Sequence, residues 1–523
     1  MANKKVDVVI VGGGASGILL AAKLGQAGKK VVILEMGPAI GLDDLVSSMI
    51  WSRRLKWGGV PVMSEGKNPV SHNFQSGWGL GGAAMHQFAN WPRLHPEDFR
   101  VNSQYGRALD WPIGYDELRP YYDRIQKEVG ISGDHVAEVW RPAGEPYPMP
   151  PMKWFRQAEL LAEGFKKAGL RTAPMPVAIN SVPYNGRPAC IYDGWCEAGC
   201  PTGALVNPQV TYLPVAKKAG VEIRADSYVT RVLTNAKGDR ATGVEYYDKA
   251  KQRQEQLAGV VVLSAFSASN PRILFNSKTD KHPEGLANSS GLVGRYVMAH
   301  ITFSAFGLFE ENTENHMGTS GAFGMSQDGY VKDSHPGFGS YTWTVGVAMK
   351  PNDVLGFANS RPQLFGSALH DFMKRAARGL ARIGVQAEEL PDAENRVVLA
   401  DRKDEFGFPL ARVIHSLDGN SMDLFNHIRS EGERIMKATR AKETWSAPAP
   451  GLAHFLGGTV MGKTAKDSVA DGYGCTHDVG NLFITGGGLF PTIGGVHPTF
   501  TLHAHTLRTA DHMAKNWGAI AGT

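Results

Sequence analysis

Three sets of residues have the types and spacing to do chemistry. The first is Gly12-Gly13-Gly14-Ala15-Ser16-Gly17, a G-x-G-x-x-G run. Such a run serves a dinucleotide. One glycine makes a tight turn, another leaves room for a pyrophosphate against the backbone, and the last lets helix and strand pack closely. The second set is Cys190, Cys196 and Cys200-Pro201, which hold three of the four cysteines in 523 residues. Sparse cysteines crowded into eleven positions point to a local site and away from a disulfide framework. The third set is histidine, whose pKa near neutrality suits it to take or give a proton. Seventeen histidines are present, so each by itself is more readily structural than catalytic. Two stand apart by position. His454 precedes a glycine-rich turn, and His497 follows Gly486-Gly487-Gly488 and directly precedes Pro498.

The elements that must position these residues are legible around them. Val6–Val11 is a β-branched apolar run broken only by Asp7, as a strand buried on both faces of a parallel sheet reads. It feeds the glycines, which open a helix over Ile18–Ala27 closed by Gly28, and a second strand, Lys30–Leu34, ends on Glu35. That helix N-terminus offers free N–H groups to phosphates, and Glu35 is placed to accept from a ribose hydroxyl. Gly12, Gly14, Gly17 and Glu35 are therefore candidate cofactor-binding residues. Gly81 and Gly82 begin a second small-residue segment where backbone could approach a ligand. Residues 37–80 read as long loops. Helices are expected over 111–130, 155–169, 369–383, 420–438 and 498–515, and a loop followed by a helix over 265–277. Short strands at 221–224, 229–233, 241–247 and 259–264 suggest a small meander returning to the dinucleotide sheet. Further β-type segments are 341–349 and 481–485.

A chain of this length is too long for one core and should divide. Its 42% apolar and 20% charged content is that of an ordinary globular protein. A formal charge of +5 without a block of basic residues makes nucleic acid a poor partner. The uncharged stretch from Val8 to Ala22 falls on the glycine fingerprint and reads as fold, not targeting. No run reaches membrane-spanning length.

Taken together, the chain resembles the glucose-methanol-choline (GMC) family of flavin oxidoreductases over essentially its whole length. The resemblance is carried by GGAAMH at 81–86, VVLSAFSASNPRIL at 261–274, LVGRYVMAH at 292–300, HFLGGTVMG at 454–462 and GGGLFPTIGGVHPTFTLHAHTLRTAD at 486–511. A narrower likeness, to catalytic subunits of bacterial glucose and gluconate dehydrogenases, lies in NSQYGRALDWPIGYDELRPYY, EPYPMPPMKW and RPACIYDGWCEAGCPTGA. The resemblance implies an α/β fold: a Rossmann-like FAD-binding domain with a second α+β substrate domain on an antiparallel sheet. The first would comprise 1–100, 181–300 and 451–523, and the second 101–180 and 301–450 with connectors. It implies FAD, and oxidation of a CH–OH group of a sugar, glycoside or polyol by hydride transfer to flavin N5.

His454 matches the family's catalytic histidine and His497 its second catalytic position, where His or Asn stands; which is the base stays open. Gly487 and Pro498 would lie at the flavin, with the helix beyond Pro498 aiming its positive end at the ring. His86 aligns with a position that some members bond covalently to flavin and others do not. His503 and His505, further along that helix, are expected to be structural. The nearest relatives carry a three-iron (3Fe-4S) cluster at the segment matching Cys190, Cys196 and Cys200; zinc, a disulfide or unrelated thiols are the alternatives. The likeness also implies a small signal-bearing subunit, a cytochrome c subunit and periplasmic location through that partner; without a partner the location would be cytoplasmic. The rival expectations are an oxygen-using oxidase with structural cysteines and, more distantly, a flavin-free binding protein.

Overall fold

The computed structural model describes residues 2–56, 58–70 and 76–522, so part of the expected 37–80 loop region lies outside the described residues. Ala2–Val11 forms the expected buried strand, and Ala15–Gln26 is the helix that follows, with Gly14 at its N-cap. The strand pairs in parallel with Val31–Leu34 on one side and with Arg253–Leu263 on the other. The sheet runs Glu222–Arg224, Val31–Leu34, Ala2–Val11, Arg253–Leu263, Ala241–Tyr247, Tyr228–Thr234. Beyond the meander, Leu482–Ile484 adds in parallel to the far half of Arg253–Leu263, against Val261–Leu263. Val8, Val9 and Ile10 are fully buried, which is why the run carries no alternation.

A second sheet has the order Glu443–Ser446, Met298–Leu308, Leu380–Ala387, Tyr341–Val345, Gly324–Ser326, Ala173–Pro174, all neighbours antiparallel. Gly451–Leu456, a segment the sequence places with the cofactor domain, joins this sheet beside Glu443–Ser446 on the same edge of Met298–Leu308. The helix expected over 369–383 ends earlier: it spans Gly366–Gly379, and Leu380 begins a strand. Gly379 lies so close to Phe309 that a Cβ would meet its carbonyl oxygen at 2.1 Å, so the chain changes course there. The expected strand over 341–349 closes at Val345. Arg396–Lys403, Pro409–Ile414 and Val62–Glu65 make a small third sheet.

The first sheet meets its ligand side through backbone contacts. Gly12 has φ +103°, and a Cβ there would stand 2.4 Å from the Ser264 carbonyl oxygen. Gly12→Ala should therefore destabilise the fold by about 1–3 kcal/mol, from left-handed backbone strain and the forced shift of Ser264. The check is thermal unfolding, whose midpoint should fall.

Candidate active site

A cavity of about 460 Å³ opens between the two sheets, lined on one side by Gly12, Gly14 and Glu35 and on the other by Gln386 and Ala453–Leu456. Of the expected cofactor-binding residues, Gly12, Gly14, Glu35, Gly82, His86, Gly487 and Pro498 line it. Gly17 and Gly81 stand behind the wall. A Cβ on Gly17 would be 2.1 Å from the Gly12 carbonyl oxygen, and Gly81 N–H donates to the Gly13 carbonyl at 2.7 Å. Glu35 sits at the end of its strand as expected, with both carboxylate oxygens already accepting backbone N–H groups, from Gly13 at 2.7 Å and Gly37 at 2.8 Å. Burial nevertheless lifts its pKa above the usual carboxylate value.

Four lining residues carry buried polar atoms with no partner among the described residues: Asn270 Nδ2, Gln386 Oε1, Thr485 Oγ1 and His497 Nδ1. Proteins leave few such atoms unpaired unless a ligand or water meets them. With the glycine cradle at one end, this donor and acceptor set fits a dinucleotide.

His454 and His497 face each other across the cavity wall, ring centroids 5.2 Å apart. His454 sits at a bulge in Gly451–Leu456: Ala453 pairs with His300 and Phe455 with Ala299, so His454 is the extra residue, at φ +58°. A bulge re-aims one side chain at the cost of left-handed backbone, and such strain collects at functional sites. Its Nδ1 lies 3.3 Å from Nδ1 of His300, whose Nε2 meets the Gly494 carbonyl at 2.8 Å. His497 Nε2 lies 3.2 Å from Asn90 Nδ2. Asn90 Oδ1 accepts from Ala322 N–H at 3.0 Å, which fixes the amide so that Nδ2 donates to the ring.

Burial holds these rings neutral. It lowers the pKa of His300 to about 4 and of His497 to about 3, and drives His454 well below its usual value, with the neighbouring histidines adding to the effect for the last two. The last long helix, Thr499–Lys515, begins at the cavity with Pro498 as N-cap. Its positive end thus faces the cavity, where it would favour negative charge on a bound group. His503 and His505 bond backbone carbonyls of Thr499 and Gly472 instead of the cavity. His86 lines the cavity with Nε2 3.3 Å from the Ser76 carbonyl.

All four cysteines are free thiols, which removes the disulfide alternative. Among the described residues no group of three or more His, Cys, Asp and Glu side chains is arranged to hold a metal ion. Each sulfur of the run accepts a backbone N–H: Cys190 from Tyr192 at 3.3 Å, Cys196 from Ser320 at 3.4 Å, Cys200 from Leu205 at 3.4 Å. Burial pushes the thiols of Cys190 and Cys196 up to about 11 and about 12, and Cys200 adds to both shifts. The turn Cys196–Ala198 packs on Gly82–His86, the segment lining the cavity. Cys475 belongs elsewhere, with its thiol on the Gly480 carbonyl.

Sequence reasoning missed His300, Asn90 and Gln386. His300 closes the quoted segment LVGRYVMAH, yet a single histidine in a buried strand carries no mark of its partner. Asn90 and Gln386 offer no local signal at all: what matters for Asn90 is its amide meeting His497, 407 positions away, and for Gln386 its place on the cavity wall.

A βαβ dinucleotide cradle opening onto a pair of uncharged histidines defines the site of a dinucleotide-dependent oxidoreductase. The chain belongs to the GMC oxidoreductase family, whose N- and C-terminal sequence profiles match residues 6–302 and 373–506. It is thus an FAD oxidoreductase of CH–OH donors. It is 31% identical to the fructose dehydrogenase large subunit of Gluconobacter japonicus, over 97% of both chains. It is also 31% identical to the 2-methyl-1,2-propanediol dehydrogenase of Mycolicibacterium austroafricanum, over 99% of this chain and 96% of that one. A solved structure of Aspergillus oryzae formate oxidase superposes with a TM-score of 0.67 at 16% identity, covering all of both chains, and so shares the fold.

The buried histidines couple stability to pH. Their folded pKa values lie below the unfolded value of 6.5, so unfolding takes up protons in acid. Stability should be full above pH 6.5 and fall as pH drops toward 4, by up to about 1.4 kcal/mol per pH unit for each of His300, His497, His503 and His505. Denaturant titrations at pH 7, 6 and 5 should show this slope, and it should be reduced in His503→Gln.

Proposed function

We propose that the chain is a dehydrogenase that oxidises a CH–OH group of a sugar, glycoside or polyol. The observation that carries this reading is the cavity itself, with a dinucleotide cradle at one end and His454 and His497, neutral and 5.2 Å apart, at the other. Bound FAD would supply, at its N5, the acceptor for the hydride leaving the carbinol carbon. The substrate hydroxyl is gripped between the two histidines: one takes its proton and the other holds its oxygen by donation. Because both rings are neutral at physiological pH, no acid step must precede proton removal. Gln386, reaching the cavity from the second sheet with an unpartnered oxygen, is available to a second substrate hydroxyl. The likeness to a fructose and to a diol dehydrogenase supports the substrate class.

The electron exit belongs to the same reading. Cys190, Cys196 and Cys200, whose side chains are not grouped to hold a metal as they stand, would have to draw together on the three-iron cluster that the family resemblance implies, which would supply a one-electron path away from the cofactor. Two features support it: each sulfur accepts an N–H, as cluster thiolates do, and the Cys196 turn packs on the cofactor-lining segment. Carriage to the periplasm by a small signal-bearing subunit, with a cytochrome c subunit receiving electrons, belongs to the same reading; the likeness to a protein called a large subunit supports the presence of a further subunit.

Replacing His454 or His497 by Ala should lower kcat by about two to four orders of magnitude with flavin content unchanged. The double variant should lose far less than the product of the single losses, since the pair acts as a unit. Steady-state assays with sugars, glycosides and diols and a dye acceptor measure this; near-normal turnover in either variant removes that histidine from the chemistry. Iron analysis and EPR of oxygen-free preparations should give about three irons per chain. Cys196→Ser should abolish delivery to a cytochrome while sparing flavin reduction by substrate. Iron-free protein fully active with oxygen would establish the oxidase instead. Cell fractionation with and without a co-expressed small subunit tests the carriage.

A further inference from the structure

We propose that His300 is a positioning residue that holds His454 in the one tautomer able to take a proton, its own ring being set by the Gly494 carbonyl. The inference rests on the oxidoreductase reading above and adds a third histidine to it. A carbonyl can only accept, so His300 Nε2, 2.8 Å from it, carries a hydrogen. A neutral His300 then presents a bare lone pair at Nδ1. The nitrogen facing that lone pair, Nδ1 of His454 at 3.3 Å, must be the donor. This leaves Nε2 of His454 as an acceptor on a ring that lines the cavity. A neutral imidazole without such a partner prefers its hydrogen on Nε2, the arrangement that cannot accept from a hydroxyl. Which nitrogen is free is decided by the bond the other one makes.

The opposite polarity would require His300 to carry two hydrogens and a full charge. Its side chain is wholly buried, and the rings that face it, His454 and His497, are themselves uncharged. The carboxylate that reaches it, Glu388, is paired with the Lys332 ammonium through Oε2, which also accepts from the N–H and hydroxyl of Ser340, while Oε1 makes no hydrogen bond. The acceptor end is equally fixed. A Cβ on Gly494 would stand 2.8 Å from the Asp98 carboxylate, so the turn lies directly on it. That carboxylate is held by Lys332 Nζ at 2.6 Å, the Tyr330 hydroxyl at 2.7 Å and His95 N–H at 2.7 Å. The strand supplying His300 also pairs with Ala453, so one element sets both the bulge and the ring behind it. His497 is set in the complementary sense: with the Asn90 amide donating to Nε2, its hydrogen lies on Nδ1.

Two measurements test this. Nitrogen-15 histidine NMR of the wild-type holoenzyme reports tautomers without reference to turnover. His454 should carry its hydrogen on Nδ1 and His300 on Nε2; a His454 hydrogen on Nε2 overturns the proposal. Kinetics of His300→Leu and His300→Asn form the second arm. The leucine variant should lose roughly a hundredfold or more in kcat, with KM within about threefold and flavin content unchanged. The asparagine variant keeps an acceptor oxygen near the place of Nδ1 and should recover at least tenfold of that loss. Leucine variant turnover within threefold of wild type, or equal losses in both variants with flavin intact, overturns it. Should the leucine variant not fold, the asparagine variant and the wild-type spectrum decide. Should wild type oxidise no alcohol, the oxidoreductase reading fails by itself while the spectrum still answers the tautomer question.

Discussion

The site exists because backbone lies directly on backbone at three places around the cavity. Gly12 rests on the Ser264 carbonyl, Gly82 comes to 3.0 Å of Gly14 by the position its Cβ would take, and Gly495 abuts Ser340. At each contact a methyl group would force main chain to move. The first two bring the dinucleotide cradle and its covering segment into register. The third seats the turn before His497 on the residue that leads into Tyr341–Val345 of the second sheet. The cavity is what remains between surfaces held this close, and its walls come from segments that are far apart in sequence.

Around the histidines, charge is limited by burial. Three histidines stand together there, and burial keeps all of them neutral. Glu35 and Arg272 line other parts of the cavity, and below the histidines Lys332 is fully buried and pairs with both Asp98 and Glu388. Lys332 carries the single positive charge against two carboxylates, so removing it would leave both buried without their partner, at a cost of about 3–5 kcal/mol. The place of this trio beneath the Thr492–Gly495 turn makes it a rigid floor for the carbonyl that His300 reads.

How much of this was visible in the sequence follows from how local each feature is. The first strand, its glycine turn and Glu35 were legible because all their determinants lie within thirty-five residues and recur at fixed spacing. Ala241–Tyr247 and the helix Gly419–Ala438 were legible from periodicity, the helix to within one residue at its start. The helix expected to 383 was cut at Gly379 because a close contact with Phe309, seventy residues away, overrides its periodicity. The bulge that aims His454 depends on which residue of another strand it skips, and no local pattern encodes that. His300 and Asn90 were hidden for the same reason: their meaning is a distance to another ring.

The bulge at His454 also restricts how this chain can change. Side chains of a strand alternate between faces, so a single inserted or deleted residue inverts every one that follows. Within Gly451–Leu456 the extra residue already uses the one irregularity that the pairing with Met298–Leu308 tolerates. Losing a residue there would turn Phe455 away from its packing on Phe266 and withdraw the histidine. Length variation among descendants of this sequence is thereby channelled into the Ala447–Pro450 connection, outside the paired strands, where a longer loop leaves the alternation untouched.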